Sequence, residues 1–158
     1  MSVSPGWLSV LQLSDGLFPA GGFAHSFGLE TLTQEGVVTD RAGLEAFVVA
    51  HVEGSAGPSD AVVVAVAARV AARDDLPALV ATDEHLDAMK TVPEFRAASR
   101  QMGRQTLRVM AALESARALL SALARSVDEG FAPGHHATVF GAALGRAGAT
   151  PELAAGAY

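Results

Sequence analysis

The sequence contains no cysteine, which excludes disulfide bonds, thiolate metal sites and a cysteine nucleophile. Only 6% of its 158 residues are aromatic, so alanine, valine and leucine have to pack the interior. Its longest apolar run, residues 61–68, is interrupted by Arg69 and is far too short to cross a bilayer. The N-terminus lacks the basic segment and apolar core of a signal peptide. These absences predict a single cytoplasmic domain over residues 1–158 that does not enter a membrane.

The chain is also poor in positive charge. Its net charge of −6 gives no electrostatic basis for binding nucleic acid. Lys90 is the only lysine, so basic surface depends on arginine. Four arginines repeat at every fourth position along one flank of a predicted helix, where they could hold carboxylates of a partner; they are Arg96, Arg100, Arg104 and Arg108. The alternative is a solvated helix face.

No stretch alternates between apolar and polar residues as a strand would, and helical periodicity dominates. The sequence therefore predicts an all-α, multi-helix bundle. Thr91, Pro93 and Glu94 form a helix start signal, and the apolar pattern after them predicts one long central helix over about 93–126. Residues 54–58, rich in glycine and proline, predict a break between two earlier helices. A last helix begins at Pro151 with almost no body, which predicts that the domain is incomplete at its C-terminus.

Residues 13–30 differ in kind from the remainder, because no helical or strand period runs through them. Glycine frees the backbone there and proline restricts it, as in loops that carry function on a helical scaffold. We predict that this loop binds a partner through seven residues: Phe18, Pro19, Gly21, Phe23, His25, Ser26 and Glu30. The alternative is a hydrophobic loop that plugs one end of the bundle.

A nucleophile, base and orienting group could be sought in His25, Ser26 and Glu30. Neighbours on a helix point about 100° apart, however, so His25 is poorly placed to deprotonate Ser26. The nucleophile-elbow motif of hydrolases and the phosphate-binding loop of nucleotide-binding proteins are both missing. We predict no catalytic residues, with a small hydrolase as the remaining rival.

None of the five histidines forms an i, i+4 pair with another, so a helical zinc site is unsupported. His135 and His136, at a predicted helix start, could bind a metal together with a distant carboxylate. The alternative is that one of the two is packed in the interior and the other is solvated.

Three segments resemble the UreF family of urease accessory proteins. Residues 17–30 match its Leu-x-Pro-x-Gly-x-aromatic-x-x-Ser-x-Gly-Leu-Glu signature. Residues 94–104 are similar to its Glu-x-Arg-x-x-Ser segment followed by Met-Gly. His135, Phe140 and Gly141 resemble its His-x-x-x-x-Phe-Gly helix start. The family continues through further helices and a Pro-Leu-Gly-Gln segment that are absent from this sequence.

The resemblance implies a non-enzymatic adaptor with no bound cofactor. UreF-like proteins are all-α and dimeric, and they bind UreD (also called UreH) and the GTPase UreG. That assembly promotes nickel insertion into apo-urease, with UreF influencing the GTP-dependent step, so nickel is handled by the assembly. The alternative function is a direct nickel carrier that uses His135 and His136.

Overall fold

The computed structural model describes residues 5–22, 26–110, 112 and 117–158, and within them every regular element is helical. The predicted all-α class is confirmed. In the described part of the chain, no helix combines the length and hydropathy needed to cross a membrane. The α-helices are α1 Pro5–Leu13, α2 Leu29–Gln34, α3 Arg41–His51, α4 Val62–Ala71, α5 Leu76–Met89, α6 Pro93–Met110, α7 Arg117–Asp128, α8 His136–Arg146 and α9 Pro151–Ala157.

The core is built around α4 and α8, which make the most extensive helix–helix contact. Glycine makes this close approach possible. A Cβ atom added to Gly141 would lie 2.4 Å from the carbonyl oxygen of Val64, and one added to Gly145 would lie 2.2 Å from that of Ala68. Around this pair α1, α5, α6, α7 and α9 contribute further apolar side chains to the core. Helix α8 is buried along nearly its whole length.

The longest continuous helical stretch runs over residues 41–71, because a π-helix, Val52–Ala61, joins α3 to α4. The predicted break at residues 54–58 is therefore wrong. Glycine and proline disfavour the α-helix, but here the backbone stays helical by widening its turns. The carbonyl oxygen of Val52 lies 2.7 Å from where a Cβ of Gly57 would be, so the widened turn needs glycine there. Pro58 lies within the π-helix, and the Ser59 hydroxyl donates to the Ser55 carbonyl at 2.6 Å.

The central helix predicted over 93–126 is described instead as two helices, α6 and α7, that contact one another. Ala112 lies between them in a turn, and its N–H donates to the Val109 carbonyl at 3.3 Å. Residues 111 and 113–116 lie outside the described residues. The apolar period persists because both helices bury one face in the same core, with Leu107 from α6 and Leu120 from α7.

Helices α2 and α3 bury no residue completely. Four residues of α3 recur at the i, i+3, i+4 and i+7 spacing of an amphipathic stripe, but they differ in burial: Leu44, Phe47, Val48 and His51. Phe47 and His51 are half-buried and stack with ring centroids 6.3 Å apart, whereas Leu44 and Val48 are 42% and 48% exposed. Helix α3 is thus an arm that extends from the bundle.

Side-chain caps start three helices. Asp40 accepts the Gly43 N–H at 2.8 Å, Asp75 accepts the Ala78 N–H at 3.1 Å, and Thr150 accepts the Leu153 N–H at 3.2 Å. Pro77 and Thr82 each resemble the start of a separate helix, but both lie in the single helix α5. There the Thr82 hydroxyl donates to the Ala78 carbonyl at 2.7 Å, an interaction that the helix interior tolerates.

Candidate functional site

The loop at residues 13–22 is fixed by local hydrogen bonds. The Asp15 carboxylate accepts the Leu17 N–H at 2.8 Å, and the Asp15 carbonyl accepts the Phe18 N–H at the same distance. Ala20 is buried and Phe18 packs against the core. This part of the loop is therefore anchored to the bundle.

The loop then lies on α6. A Cβ on Gly21, whose φ is 82°, would come within 2.7 Å of Gln105 Oε1, and one on Gly22 would come within 3.0 Å of Met102 Cε. The paired glycines therefore allow the backbone to approach the helix closely. Because both contacts are with the ends of flexible side chains, the φ of 82° is the stronger reason for glycine at Gly21.

The apolar spacing of Phe27 and Leu29 predicts a helix that already includes Phe27, and this is wrong because α2 begins only at Leu29. Phe27 and Gly28 precede it with φ values of 50° and 95°, which are not α-helical. Phe27 instead directs its ring toward the arm and α6, with centroids 5.1 Å from His51 and 5.5 Å from Phe95. The loop, α3 and α6 thus meet in one aromatic cluster.

A buried polar network joins α5, α6 and α8. The ring of His135, which is fully buried, has Nδ1 3.0 Å from Ser99 Oγ and Nε2 2.9 Å from Asp87 Oδ1. One neutral tautomer satisfies both contacts: Nε2–H donates to Asp87, and Nδ1 accepts the Ser99 hydroxyl. Burial lowers the pKa of His135, although the hydrogen bond to Asp87 opposes this. The imidazole therefore serves as a neutral connector between two helices.

Asp87 and Asp83 complete the network. Burial alone would raise the pKa of Asp87, but hydrogen bonds from His135 and Arg100 outweigh it and hold that pKa below its usual value. Asp83 is fully buried and accepts the backbone N–H groups of Gly134 and His135, at the N-terminus of α8. An anion is favoured there by the helix dipole. The Ser–His–Asp order resembles a hydrolase triad, but Ser99 lies inside a helix and is itself buried.

A groove of about 740 Å³ lies between the loop, the π-helix, α6 and the end of α9. Its volume is in the range typical of ligand sites. Its walls are mainly apolar, and the aromatic cluster borders it; the large apolar lining residues are Leu13, Phe18, Phe27, Phe95, Met102 and Phe140.

Polar groups gather at one part of this groove. Asp60, 6% exposed, forms an ion pair with Lys90, whose Nζ lies 2.9 Å from Oδ1 and 3.0 Å from Oδ2. The Ser59 hydroxyl oxygen, whose hydrogen is directed to Ser55, lies 3.0 Å from Oδ2. Burial of the Tyr158 hydroxyl, the Asp60 charge and the hydrogen bond between them raise the pKa of Tyr158. Asp60, expected only as a helix cap, is thus the centre of a polar cluster.

Comparison with known proteins decides the family. A model of the UreF family matches residues 38–158. The urease accessory protein UreF of Bacillus sp. (strain TB-90) is 32% identical over 151 residues, which cover 96% of this chain. That of Actinobacillus pleuropneumoniae is 35% identical over 132 residues, or 84% of this chain. The chain belongs to the UreF family. It spans 66% of the length of the first relative and 58% of the second.

The UreF-like motifs meet in the folded chain. Ser99 and Gly103 come from the second motif and His135 from the third, and they pack together where α6 meets the start of α8. A Cβ on Gly103 would lie 2.0 Å from the Gly134 carbonyl oxygen. Motifs about 35 residues apart in the sequence therefore form one structural junction.

The predicted partner-binding residues of this UreF-family chain fall into several environments. Pro19, Gly21, Ser26 and Glu30 are exposed, whereas Phe18 is half-buried. Phe23 and His25 lie outside the described residues. The rival triad of His25, Ser26 and Glu30 therefore cannot be followed in the structure.

The arginines of the predicted flank on α6 differ in whether they are already paired within the molecule. Arg100 donates twice to Asp87, through Nε at 3.0 Å and through Nη2. Arg96 donates from Nε to the Lys90 carbonyl at 2.7 Å and lies 3.9 Å from Asp87. Arg104 is exposed and has no ion-pair partner in the described part of the chain. Arg96 and Arg100 are thus already engaged within the molecule, whereas Arg104 faces solvent.

His135 and His136 separate in the fold. Both ring nitrogens of His135 are hydrogen-bonded, while the His136 ring packs against Phe140 and Tyr158 with centroids 5.8 Å and 5.5 Å away. Burial lowers the pKa of His136 to about 4, so it is neutral at pH 7. Across the described residues, no three histidine, aspartate or glutamate side chains form a group that could hold a metal ion.

Sequence reasoning missed Asp83, Asp87 and Asp60 as organising groups. Each is an acidic residue within or beside a helix and has no local pattern that distinguishes it from a solvated one. Their partners Lys90 and His135 are 30 to 52 positions away along the chain. The only available signals were the single lysine and the serine of the second motif.

Proposed function

We propose that the chain acts as an adaptor in urease maturation in the cytoplasm. In this role it assembles with UreD (also called UreH) and the GTPase UreG, promotes nickel insertion into apo-urease and modulates the GTP-dependent step. Nickel is the cargo of the assembly. The observation that carries the proposal is 32–35% identity to urease accessory proteins over 84–96% of this chain. The resemblance also supports a homodimer.

The exposed part of the loop and the free end of the arginine flank are the proposed contact surfaces. Pro19, Ser26 and Glu30 present side chains to solvent on a backbone anchored by Ala20. Arg104 offers an exposed guanidinium, with no ion pair to any described residue, on the helix against which the loop packs. Arg96 and Arg100 contribute by holding α5 against α6, because their donors already meet Asp87 and the Lys90 carbonyl.

Co-purification with tagged UreD and with tagged UreG tests this role. We expect the chain to join at least one of them, and we expect Arg104→Glu to weaken capture at least fivefold. Arg69→Glu is the matched control, because Arg69 is also an exposed arginine but lies in the last turn of α4, outside the proposed contact surfaces. If the unaltered chain co-purifies with neither UreD nor UreG, the adaptor role is wrong. Equal loss with both substitutions would contradict the assigned surface.

Activation of apo-urease by nickel provides the functional readout. We expect addition of the chain to a mixture of UreD, UreG, GTP and nickel to increase the yield of active urease. An unchanged yield, with both partners shown to bind, would contradict a role in nickel insertion.

A further inference from the structure

The arm α3 leaves a large apolar surface uncovered. Leu44, Val48 and Val49 of α3, together with Val52 directly after it, are between 42% and 51% exposed. Because each helical residue turns the chain by about 100°, these four side chains lie within about 140° of one another around the helix. Single exposed apolar residues are common on protein surfaces, whereas a contiguous patch of them marks a contact surface.

An aromatic cluster holds the arm in place. The ring of His51, at the end of α3, lies 5.1 Å from the ring of Phe27, which in turn lies 5.5 Å from that of Phe95 on α6. These contacts fix the arm beside the exposed loop that we assign to partner binding. An apolar face fixed in this way is preorganised, which lowers the entropic cost of binding.

The charge around this face is strongly negative. Residues 29–53 contain five carboxylates and one arginine, and thus contribute −4 of the chain's net charge of −6. The carboxylates are all exposed, and none forms an ion pair with another described residue: Glu30, Glu35, Asp40, Glu45 and Glu53. A partner with lysine or arginine around its own apolar patch would complement this charge.

The same charge disfavours two other ways of covering the arm. Two-fold pairing with the arm of a second copy would bring together two surfaces that each carry −4, and like charges across an interface are unfavourable. Helices that lie on a membrane carry lysine and arginine on their polar face. Helix α3 has only Arg41, and anionic lipids would repel its carboxylates.

We propose that the apolar face of the arm binds a partner-protein segment whose aliphatic side chains are flanked by lysine or arginine. The inference rests on the proposed adaptor function and specifies the chemistry of one docking contact. Burial of the four exposed aliphatic side chains supplies affinity. Basic side chains that meet carboxylates such as Glu45 and Glu53 at the rim supply specificity and speed association.

Three peptides test the chemistry of the occupant. The first contains two tandem copies of Ala-Leu-Lys-Lys-Leu-Leu-Lys with blocked ends, so that a helix presents leucines on one face and lysines beside them. The second has glutamate in place of each lysine, and the third has glutamine in place of each leucine. In fluorescence anisotropy at physiological salt, we expect the first peptide to bind at least tenfold more tightly than either counterpart. Equal binding of the first peptide and either counterpart would overturn the proposal.

Charge reversal tests whether this binding occurs at the arm. Glu45→Lys combined with Glu53→Lys should weaken binding of the first peptide at least fivefold. Glu84→Lys combined with Glu129→Lys is the matched control, because it changes the net charge equally at two exposed positions outside the arm. If both pairs weaken binding equally, the peptide responds only to net charge and the proposal is wrong.

A second pair of substitutions tests the apolar contact. Leu44→Gln combined with Val48→Gln keeps the charge of the arm and should weaken binding of the first peptide at least fivefold. Leu8→Gln combined with Leu11→Gln is the control, because both leucines are exposed on α1. Since all four residues are exposed, both variants should keep the helical circular dichroism of the unaltered chain. Equal binding by the arm variant and its control would contradict the assigned face.

Two further measurements address the other occupants. If the unaltered chain sediments as a dimer and Leu44→Gln with Val48→Gln makes it a monomer, a second copy covers the arm and the proposal is wrong. Binding to phosphatidylcholine vesicles that is lost in the same variant would overturn the assignment to a protein. An unchanged oligomeric state without vesicle binding supports the proposal.

Partner capture separates this inference from the adaptor role. If Leu44→Gln with Val48→Gln captures UreD and UreG as well as the unaltered chain does, the arm is not a docking contact, although the adaptor role stands. If the unaltered chain captures neither protein, the adaptor role itself fails. Selective loss in the variant supports both.

Discussion

Replacing Gly103 by alanine tests the junction at which the UreF-like motifs meet. The new methyl group would lie 2.0 Å from the Gly134 carbonyl oxygen and 2.8 Å from the His135 carbonyl carbon, whereas ordinary contact begins at 3.4 Å. Both neighbours are backbone atoms and cannot rotate away. Helix α6 and the start of α8 would therefore have to separate by more than 1 Å, as the difference between 2.0 and 3.4 Å shows.

Two effects of Gly103→Ala would lower the free energy of unfolding, and a third would partly restore it. Overpacking at a tight contact costs about 1–3 kcal/mol. The same displacement stretches the hydrogen bonds of Asp83 to the α8 start and of Ser99 to His135, and a bond to a charged group is worth about 1.5–3 kcal/mol. Alanine recovers about 1 kcal/mol through its higher helix propensity. We expect the free energy of unfolding to fall by about 2–4 kcal/mol.

Urea denaturation followed by circular dichroism measures this change. Gly156→Ala is the matched control, because Gly156 lies in α9 and a Cβ there meets no atom within 4 Å. We expect the control to be neutral or slightly stabilising. If Gly103→Ala and Gly156→Ala unfold at the same urea concentration, the close contact between α6 and α8 does not exist as described.

Three further predictions concern pH, the π-helix and the buried network. His136 has a pKa of about 4 when folded against an ordinary 6.5, so the unfolded chain binds its proton first as pH falls. The neutral His136 therefore adds about 3 kcal/mol to the free energy of unfolding above pH 6.5, relative to pH 4, and this difference is lost on acidification. Urea midpoints measured between pH 4 and pH 6.5 should depend less on pH in His136→Phe than in the unaltered chain. Gly57→Ala should lower the free energy of unfolding by about 1–3 kcal/mol, measured by thermal unfolding. Gly54→Ala should not destabilise the protein, because no atom lies within 4 Å of the Cβ it adds. Equal effects of the two substitutions would contradict the π-helix. Ser99→Ala should cost about 1 kcal/mol in urea denaturation by removing the donor to His135, and a neutral result would argue against that bond.

The sequence predicted what local chemistry determines. The caps at Asp40 and Thr150 act where their side chains precede a helical pattern. The spacing of Gly141 and Gly145, four residues apart on a helix, indicates that another helix can approach closely, and α4 does so. In each case the decisive residues lie within one or two turns of each other.

Long-range partners account for what was missed. The helix predicted over 93–126 has an unbroken apolar period, but tertiary contacts between α6 and α7 decide its direction. Residues 54–58 carry strong breaking signals, yet the backbone stays helical through a π geometry that no local rule indicates. At the candidate site, Asp83 and His135 lie 52 positions apart, so their hydrogen bond could not be read from spacing.

Because the helix is continuous over residues 41–71, the orientation of the arm α3 relative to α4 depends on the number of residues in the π-helix between them. Each residue of an α-helix advances the chain by about 1.5 Å and turns it by about 100°. Removing one residue from the π-helix, and so tightening it toward α geometry, would rotate Leu44 and Val48 by about that angle relative to α4 while leaving the core unchanged. The π-helix therefore sets the direction in which the arm presents its apolar surface, and a single insertion or deletion there would redirect it and break the contact between His51 and Phe27.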